Sequence, residues 1–209
     1  MIVYNPVLNR SGFCHSMHSI CIFCGSNPGR GAAYSDATRA MVRAIAAAGM
    51  KIVFGGGKVG LMGVVAETAI AAGAHVIGVT PRRLLEHEMV HTGLTELHVV
   101  DSMHERKVMM SNIADAFIAL PGGMGTLDEM FEMVTLTQLG VHRKPCGLLN
   151  VAGFYDRLGA FLDHAVAERF IRAEHRDMVL VDDDPARLIT RLQAWSLPEI
   201  SKWMDRKPG

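Results

Sequence analysis

The densest chemistry in the chain lies in Leu120-Pro121-Gly122-Gly123-Met124-Gly125-Thr126-Leu127-Asp128-Glu129. The apolar run Ala116-Phe117-Ile118-Ala119-Leu120 enters it as a buried strand, and residues 130–139 leave it with helical length and no breaker. Pro121 cannot donate to a sheet ladder, and three glycines permit backbone angles and approaches that a side chain would forbid. Amides at the start of the following helix face any ligand resting on the loop, and the helix dipole favours an anion there. A phosphate suits the place, with Glu129 close enough to reach a sugar or a water beside it. A glycine turn that holds no ligand would look the same locally.

A second glycine cluster, Gly55-Gly56-Gly57-Lys58-Val59-Gly60, fits Gly-x-Gly-x-x-Gly between an expected strand, 51–54, and an expected helix, 61–72. A dinucleotide site also wants a carboxylate after the next strand, but residues 75–79 run into Thr80-Pro81-Arg82-Arg83. A mononucleotide phosphate site is therefore favoured, and an NADP site read by Arg82 and Arg83 stays open. A helix expected at 103–112 carries Arg106 and Lys107. Such a pair is ordinarily a solvated basic face, but this helix directly precedes the 116–120 strand and can bring its first turn toward the Pro121 loop.

Strands expected at 19–23, 51–54, 75–79, 97–100, 116–120, 144–149 and 178–181 alternate with helices at 34–48, 61–72, 103–112, 130–139, 154–168 and 185–195. That alternation predicts an α/β, Rossmann-like, doubly wound and mostly parallel sheet with helices on both faces. Its ligand crevice lies outside the carboxyl ends of the strands, which Ser26 and both glycine loops all follow. Residues 1–18 show no periodicity and read as a flexible arm, 19–195 as one nucleotide-binding domain, and 196–209 as a tail.

The 209 residues carry 21 Lys plus Arg against 21 Asp plus Glu, a balance with no basic field for nucleic acid or an anionic membrane. No stretch reaches the roughly 18 apolar residues of a membrane span, and the first sixteen residues do not resemble a signal peptide, so the cytoplasm is expected. Cys21 and Cys24 fall at a strand and read as buried free thiols, not as zinc ligands or a redox pair. His87, His91, His98 and His104 form no recognisable metal set, and His98 reads as a packed strand residue.

Pro121-Gly122-Gly123-Met124-Gly125-Thr126-Leu127-Asp128-Glu129 matches the Pro-Gly-Gly-x-Gly-Thr-x-x-Glu signature of the LONELY GUY family of cytokinin riboside 5'-monophosphate phosphoribohydrolases. Met103-His104-Glu105-Arg106-Lys107 resembles that family's second motif at the family's separation. Phe23-Cys24-Gly25-Ser26, the loop from Gly55 to Gly63, and Gln138-Leu139-Gly140-Val141-His142 through Lys144-Pro145 agree as well, so the resemblance spans roughly residues 19–171. Relatives often carry the label lysine decarboxylase, but nothing here singles out a lysine for pyridoxal phosphate.

The resemblance implies a catalytic pair, Arg106 and Glu129. It implies substrate contacts at Glu88, Lys107, Gly123, Met124, Gly125, Thr126, Leu127, Asp128 and Thr135, with Ser26 and Gly56 near the phosphate. The implied reaction is hydrolysis of the N-glycosidic bond of a purine riboside 5'-monophosphate, cytokinin-type or adenosine, without metal or cofactor. A homodimer is implied too, and Met130, Met133, Val134, Leu136 and Leu139 cover more than one helix face, as a partner would require. A nucleotide-binding regulator without turnover, or an NADP-dependent oxidoreductase, are the alternatives.

Overall fold

The computed structural model describes residues 17–86 and 89–198. Seven strands, β1 (Ser19–Phe23), β2 (Lys51–Phe54), β3 (Val76–Pro81), β4 (Glu96–Val100), β5 (Ala116–Ala119), β6 (Cys146–Leu149) and β7 (Val179–Asp182), form one sheet in the order β4-β3-β2-β1-β5-β6-β7. All neighbouring strands in it are parallel. The strands β1, β3, β5 and β6 are buried along their whole length, the form that strands take when helices cover both faces of a sheet.

The helices are α1 (Ala33–Ala47), α2 (Gly60–Ala71), α3 (Arg82–Glu86), α4 (Met103–Ile113), α5 (Met124–Gln138), α6 (Asp156–Ala167), α7 (Ala173–Arg176) and α8 (Pro185–Ala194). Strand periodicity sorts the core into two layers. Ile20, Ile22, Ile52, Phe54 and Ile118 pack with α1, α2 and α8. Cys21, Phe23, Val53, Phe117 and Ala119 pack on the opposite face with Met110 of α4, Met130 and Met133 of α5, and Tyr155. The expected doubly wound architecture is what the chain adopts.

Three details differ from the sequence reading. The helix after the Pro121 loop starts at Met124, not near residue 130, because Gly123 adopts an extended N-cap conformation and Gly125 is accommodated within the first turn. Two short helices, α3 and α7, stand where the sequence reading placed no helix or strand. The folded unit also reaches further back than residue 19: Met17 packs against the core, the His18 amide donates to Asp115 at 2.9 Å, and the His18 carbonyl accepts from Lys51. The rest of the expected arm, 1–16, lies outside the described residues.

Candidate active site

Strand order reverses between β1 and β5, so the loops leaving those two strands diverge to opposite faces and open a crevice at their carboxyl ends. Backbone contacts bind the loops together. The Gly25 amide donates to the Pro121 carbonyl at 3.1 Å, and the Leu61 amide at the start of α2 donates to the Gly25 carbonyl at 3.0 Å. Gly122 leaves room for Thr126, whose Oγ1 would stand 2.1 Å from a Cβ at position 122. Thr126 is thereby buried in the first turn of α5. Among the described residues no side chain caps the first amides of α5, which remain available to an anion at the positive end of the helix.

The glycines of the second cluster do different work. A Cβ at Gly55 would overlap Arg106, one at Gly57 would stand 2.7 Å from Met62 Cε, and one at Gly60 would stand 2.3 Å from the Ser26 carbonyl group. All three glycines of the Gly-x-Gly-x-x-Gly pattern are thus taken up by contacts within the chain. Gly56 needs its residue type for the backbone, with φ of +72°, and it is buried with its carbonyl accepting from the His91 amide at 2.8 Å.

At the crevice Arg106 Nη2 lies 3.5 Å from Glu129 Oε1, and both residues are only 8% exposed. Each comes from an early turn of its helix. Two side chains cap the start of α4: the Ser102 hydroxyl, at the N-cap, accepts from the Glu105 amide, and the Glu105 carboxylate accepts from the amide of Asp101, one residue before the cap, both at 3.1 Å. Arg106 follows directly on α4, a helix that packs against β1, β2, β3 and β4. In α5 the buried positions are Thr126, Glu129, Met130, Met133, Val134 and Thr137, the three-four spacing of an inward stripe.

Glu129 therefore occupies a core-facing position on a helix, where a carboxylate is costly. Burial pushes its pKa up, and the Arg106 guanidinium pulls part of that shift back. The separation is long for a hydrogen bond, no other hydrogen bond reaches the carboxylate within the described residues, and Arg106 Nε is buried without a partner. Among the described residues Arg106 Nη1 donates to the Met103 sulfur alone, at 3.6 Å. The arrangement is a charged pair with spare donors and acceptors on both members.

The remaining expected contacts divide. Gly123, Met124, Gly125 and Asp128 are exposed along the first turns of α5, with Leu127 half-buried between them, and Ser26 is exposed at the tip of β1. Lys107 turns toward α5: its Nζ meets Asp128 at 3.1 Å and is also paired with Glu132. That makes it a clamp between α4 and α5. Thr135 is not brought to the pair; it is exposed, donates to the Phe131 carbonyl at 2.7 Å, and stands about 9 Å further along the helix than Glu129. Glu88 lies outside the described residues. Arg82 is exposed beyond β3 and pairs with Asp101 at 3.7 Å.

Cys21 and Cys24 are buried free thiols as expected; Cys146 is a third, and burial pushes its thiol up to about 12. His98 is not packed: on the edge strand β4 it shares the Glu96 carboxylate with His75, at 3.1 Å and 2.7 Å. One buried contact was not anticipated. The Tyr155 hydroxyl donates to the Leu120 carbonyl at 2.7 Å, fixing the residue that enters the Pro121 loop.

Residues 62–192 match a family model described as "Possible lysine decarboxylase". Decarboxylation through pyridoxal phosphate needs a lysine amine free to react, and neither Lys107 nor Lys144 fits that need. Lys107 beside the pair is held above its ordinary pKa, chiefly by Glu132. Burial lowers Lys144, but that residue stands at the opposite end of the sheet, donating to the Ser111 carbonyl.

Among solved structures, the molybdenum cofactor binding protein from Rippkaea orientalis matches with a TM-score of 0.65 at 19% identity, covering 86% of this chain and 98% of that one. The Moco carrier protein from Chlamydomonas reinhardtii gives 0.64 at 20%, covering 86% and 100%. At such identity these share the fold alone. Sequence relatives are much nearer. The chain is 44% identical to the cytokinin riboside 5'-monophosphate phosphoribohydrolase LOG of Oryza sativa subsp. japonica, over 90% of this chain and 79% of that protein. It is 47% identical to the cytokinin riboside 5'-monophosphate phosphoribohydrolase of Rhodococcoides fascians, over 79% and 84%. With such identity across most of both chains, this protein belongs to the LONELY GUY, or LOG, family of phosphoribohydrolases.

Proposed function

We propose that the chain hydrolyses the N-glycosidic bond of purine riboside 5'-monophosphates, cytokinin-type or AMP itself, releasing free base and ribose 5-phosphate. The observation that carries this reading is the buried Arg106 and Glu129 pair beside the uncapped start of α5. Water forms a new bond to the anomeric carbon as the bond to the base nitrogen breaks, and a proton from that water ends on the base. Positive charge grows on the ribosyl ring and negative charge on the leaving base.

Glu129 supplies the anion for the ring and accepts hydrogen bonds from ribose hydroxyls or the attacking water. Arg106 stays protonated, so its work is electrostatic, on the phosphate or on the departing base. The amides of Gly123, Met124, Gly125 and Thr126 face the phosphate, Leu127 and Asp128 complete the same turns, and Ser26 approaches from β1. Lys107 acts through Asp128 and Glu132. The reading needs no cofactor or metal and sets the enzyme in the cytoplasm, and no described helix is long and apolar enough to cross a membrane.

The protein acts as a homodimer in this proposal. Most of the apolar residues of α5 are accounted for inside the chain, since Met130, Met133 and Val134 are buried and Leu136 packs against the same core. What still calls for a partner is the exposed apolar surface of Val108 on α4 and Leu139 at the end of α5. Light scattering at micromolar concentration should give twice the chain mass, and a clean monomer would reject the dimer. For the activity, the purified protein incubated with AMP, isopentenyladenosine monophosphate, CMP and GMP should release base from the two adenine nucleotides; release from none of the four rejects the reading.

A further inference from the structure

Arg106 reaches the crevice with few hydrogen bonds to fix its head group, yet the head group is buried. What confines it is Gly55, the first residue after β2. A Cβ built on Gly55 would stand 1.8 Å from Arg106 Nη2 and 2.9 Å from Cζ, so the guanidinium occupies the space a side chain would fill. Gly55 is not among the residues with positive φ, whereas its neighbour Gly56 is. Backbone conformation therefore demands glycine at 56, and at 55 the demand comes from Arg106 alone.

We propose that Gly55 is a positioning residue, whose missing side chain forms the seat that holds the Arg106 guanidinium against Glu129. Arg106 emerges from α4 and Glu129 from α5, so the seat at the end of β2 supplies a third reference that fixes their separation. A methyl group at Gly55 displaces the guanidinium from Glu129 without altering either charged residue. The activity expected of that change rests on the hydrolase reading; the position of the guanidinium does not.

The test is Gly55→Ala in the full chain, with Gly49→Ala as control, because Gly49 has φ of +70° and open space around it. Gly49→Ala should lower the melting temperature and leave kcat unchanged. Gly55→Ala should lower kcat by about a hundredfold, and the acidic limb of its kcat profile should move up by about one pH unit as Glu129 loses its nearest cation. In an Arg106→Ala background Gly55→Ala should cost nothing further, because the residue acts only through that side chain. The side-chain Nε resonance of Arg106 in 15N-arginine-labelled protein reads the seat without turnover. It should be distinct in the wild type and merge with the exposed arginines in Gly55→Ala.

Wild-type kcat and an unmoved Arg106 resonance in Gly55→Ala would overturn the proposal, as would equal losses in the two backgrounds. If the wild type turns over no nucleotide, the resonance alone decides. Should Gly55→Ala fail to fold, a folded Gly55→Ala with Arg106→Ala double variant supports the seat, and an unfolded one refutes it.

Discussion

Arg106 Nη2 and Glu129 Oε1 face each other across 3.5 Å at a site where each residue is 8% exposed, closer to an unfinished hydrogen bond than to a closed salt bridge. A buried pair optimised for stability would be tightly hydrogen-bonded, because desolvation otherwise outweighs the Coulomb attraction. This pair keeps unmet donors and acceptors instead, the arrangement expected where a third group carries charge between them.

Glu129→Gln should keep the fold and most nucleotide affinity while kcat falls by about two to three orders of magnitude, roughly 3–4 kcal/mol of lost electrostatic stabilisation. Arg106→Ala should also lower kcat steeply, and a raised KM in that variant would assign the guanidinium to the phosphate in the ground state. Steady-state kinetics on both variants separates the two contributions.

The same substitution should act in the opposite direction on stability. Burial raises the folded-state pKa of Glu129 above its ordinary value, so the carboxylate contributes stability only when protonated, and that contribution is lost as pH rises through the raised pKa. Glu129→Gln should therefore melt higher than the wild type at pH 7.5, with the gain shrinking as pH falls toward the ordinary glutamate range. Melting temperatures across that range, with no gain at pH 7.5, would show that the Arg106 attraction outweighs desolvation.

Tyr155→Phe removes one hydroxyl and leaves the fully buried Leu120 carbonyl without its donor. The expected cost is about 1–3 kcal/mol by urea unfolding, the penalty of an unsatisfied buried acceptor. Because Leu120 leads into the Pro121 loop, kcat should fall as well, with Glu129 and Arg106 intact.

Much of this was legible before any coordinates. Five of the seven strands, β1, β2, β3, β5 and β6, read as short apolar runs closed by Gly, Pro or Asn, and Arg106 and Glu129 stood in motifs specific enough to name a family. The start of α5 was hidden because Gly125 reads as a loop residue in sequence, while Gly123 alone sets the helix boundary in space. Helices α3 and α7, at five and four residues, are too short to show any period. Glu129 could have been placed inward from the spacing of Thr126, Met130, Met133 and Thr137. The contacts of Arg106 with Gly55 and of Tyr155 with Leu120 join segments far apart in the chain, and nothing local in either segment encodes them.

Arg82 and Arg83 test the NADP alternative. Arg82 is exposed on α3, beyond β3 and two strands away from the β1 and β5 crevice. Replacing both with Ala should leave base release within about twofold of the wild type, the scale of surface substitutions remote from a site. Loss of a measurable NADP affinity, with no base release to lose, would favour the oxidoreductase.

The central claim is that a carboxylate on the inward stripe of α5 drives cleavage of a ribosyl bond. It is tested most directly by chromatographic assay of free base under single-turnover conditions, with isopentenyladenosine monophosphate, for the wild type and Glu129→Gln at equal nucleotide occupancy. The wild type should give base and ribose 5-phosphate in equal amounts, and the variant should do so at a rate about two to three orders of magnitude lower. Equal rates from the two proteins, or no base from the wild type at full occupancy, would contradict it.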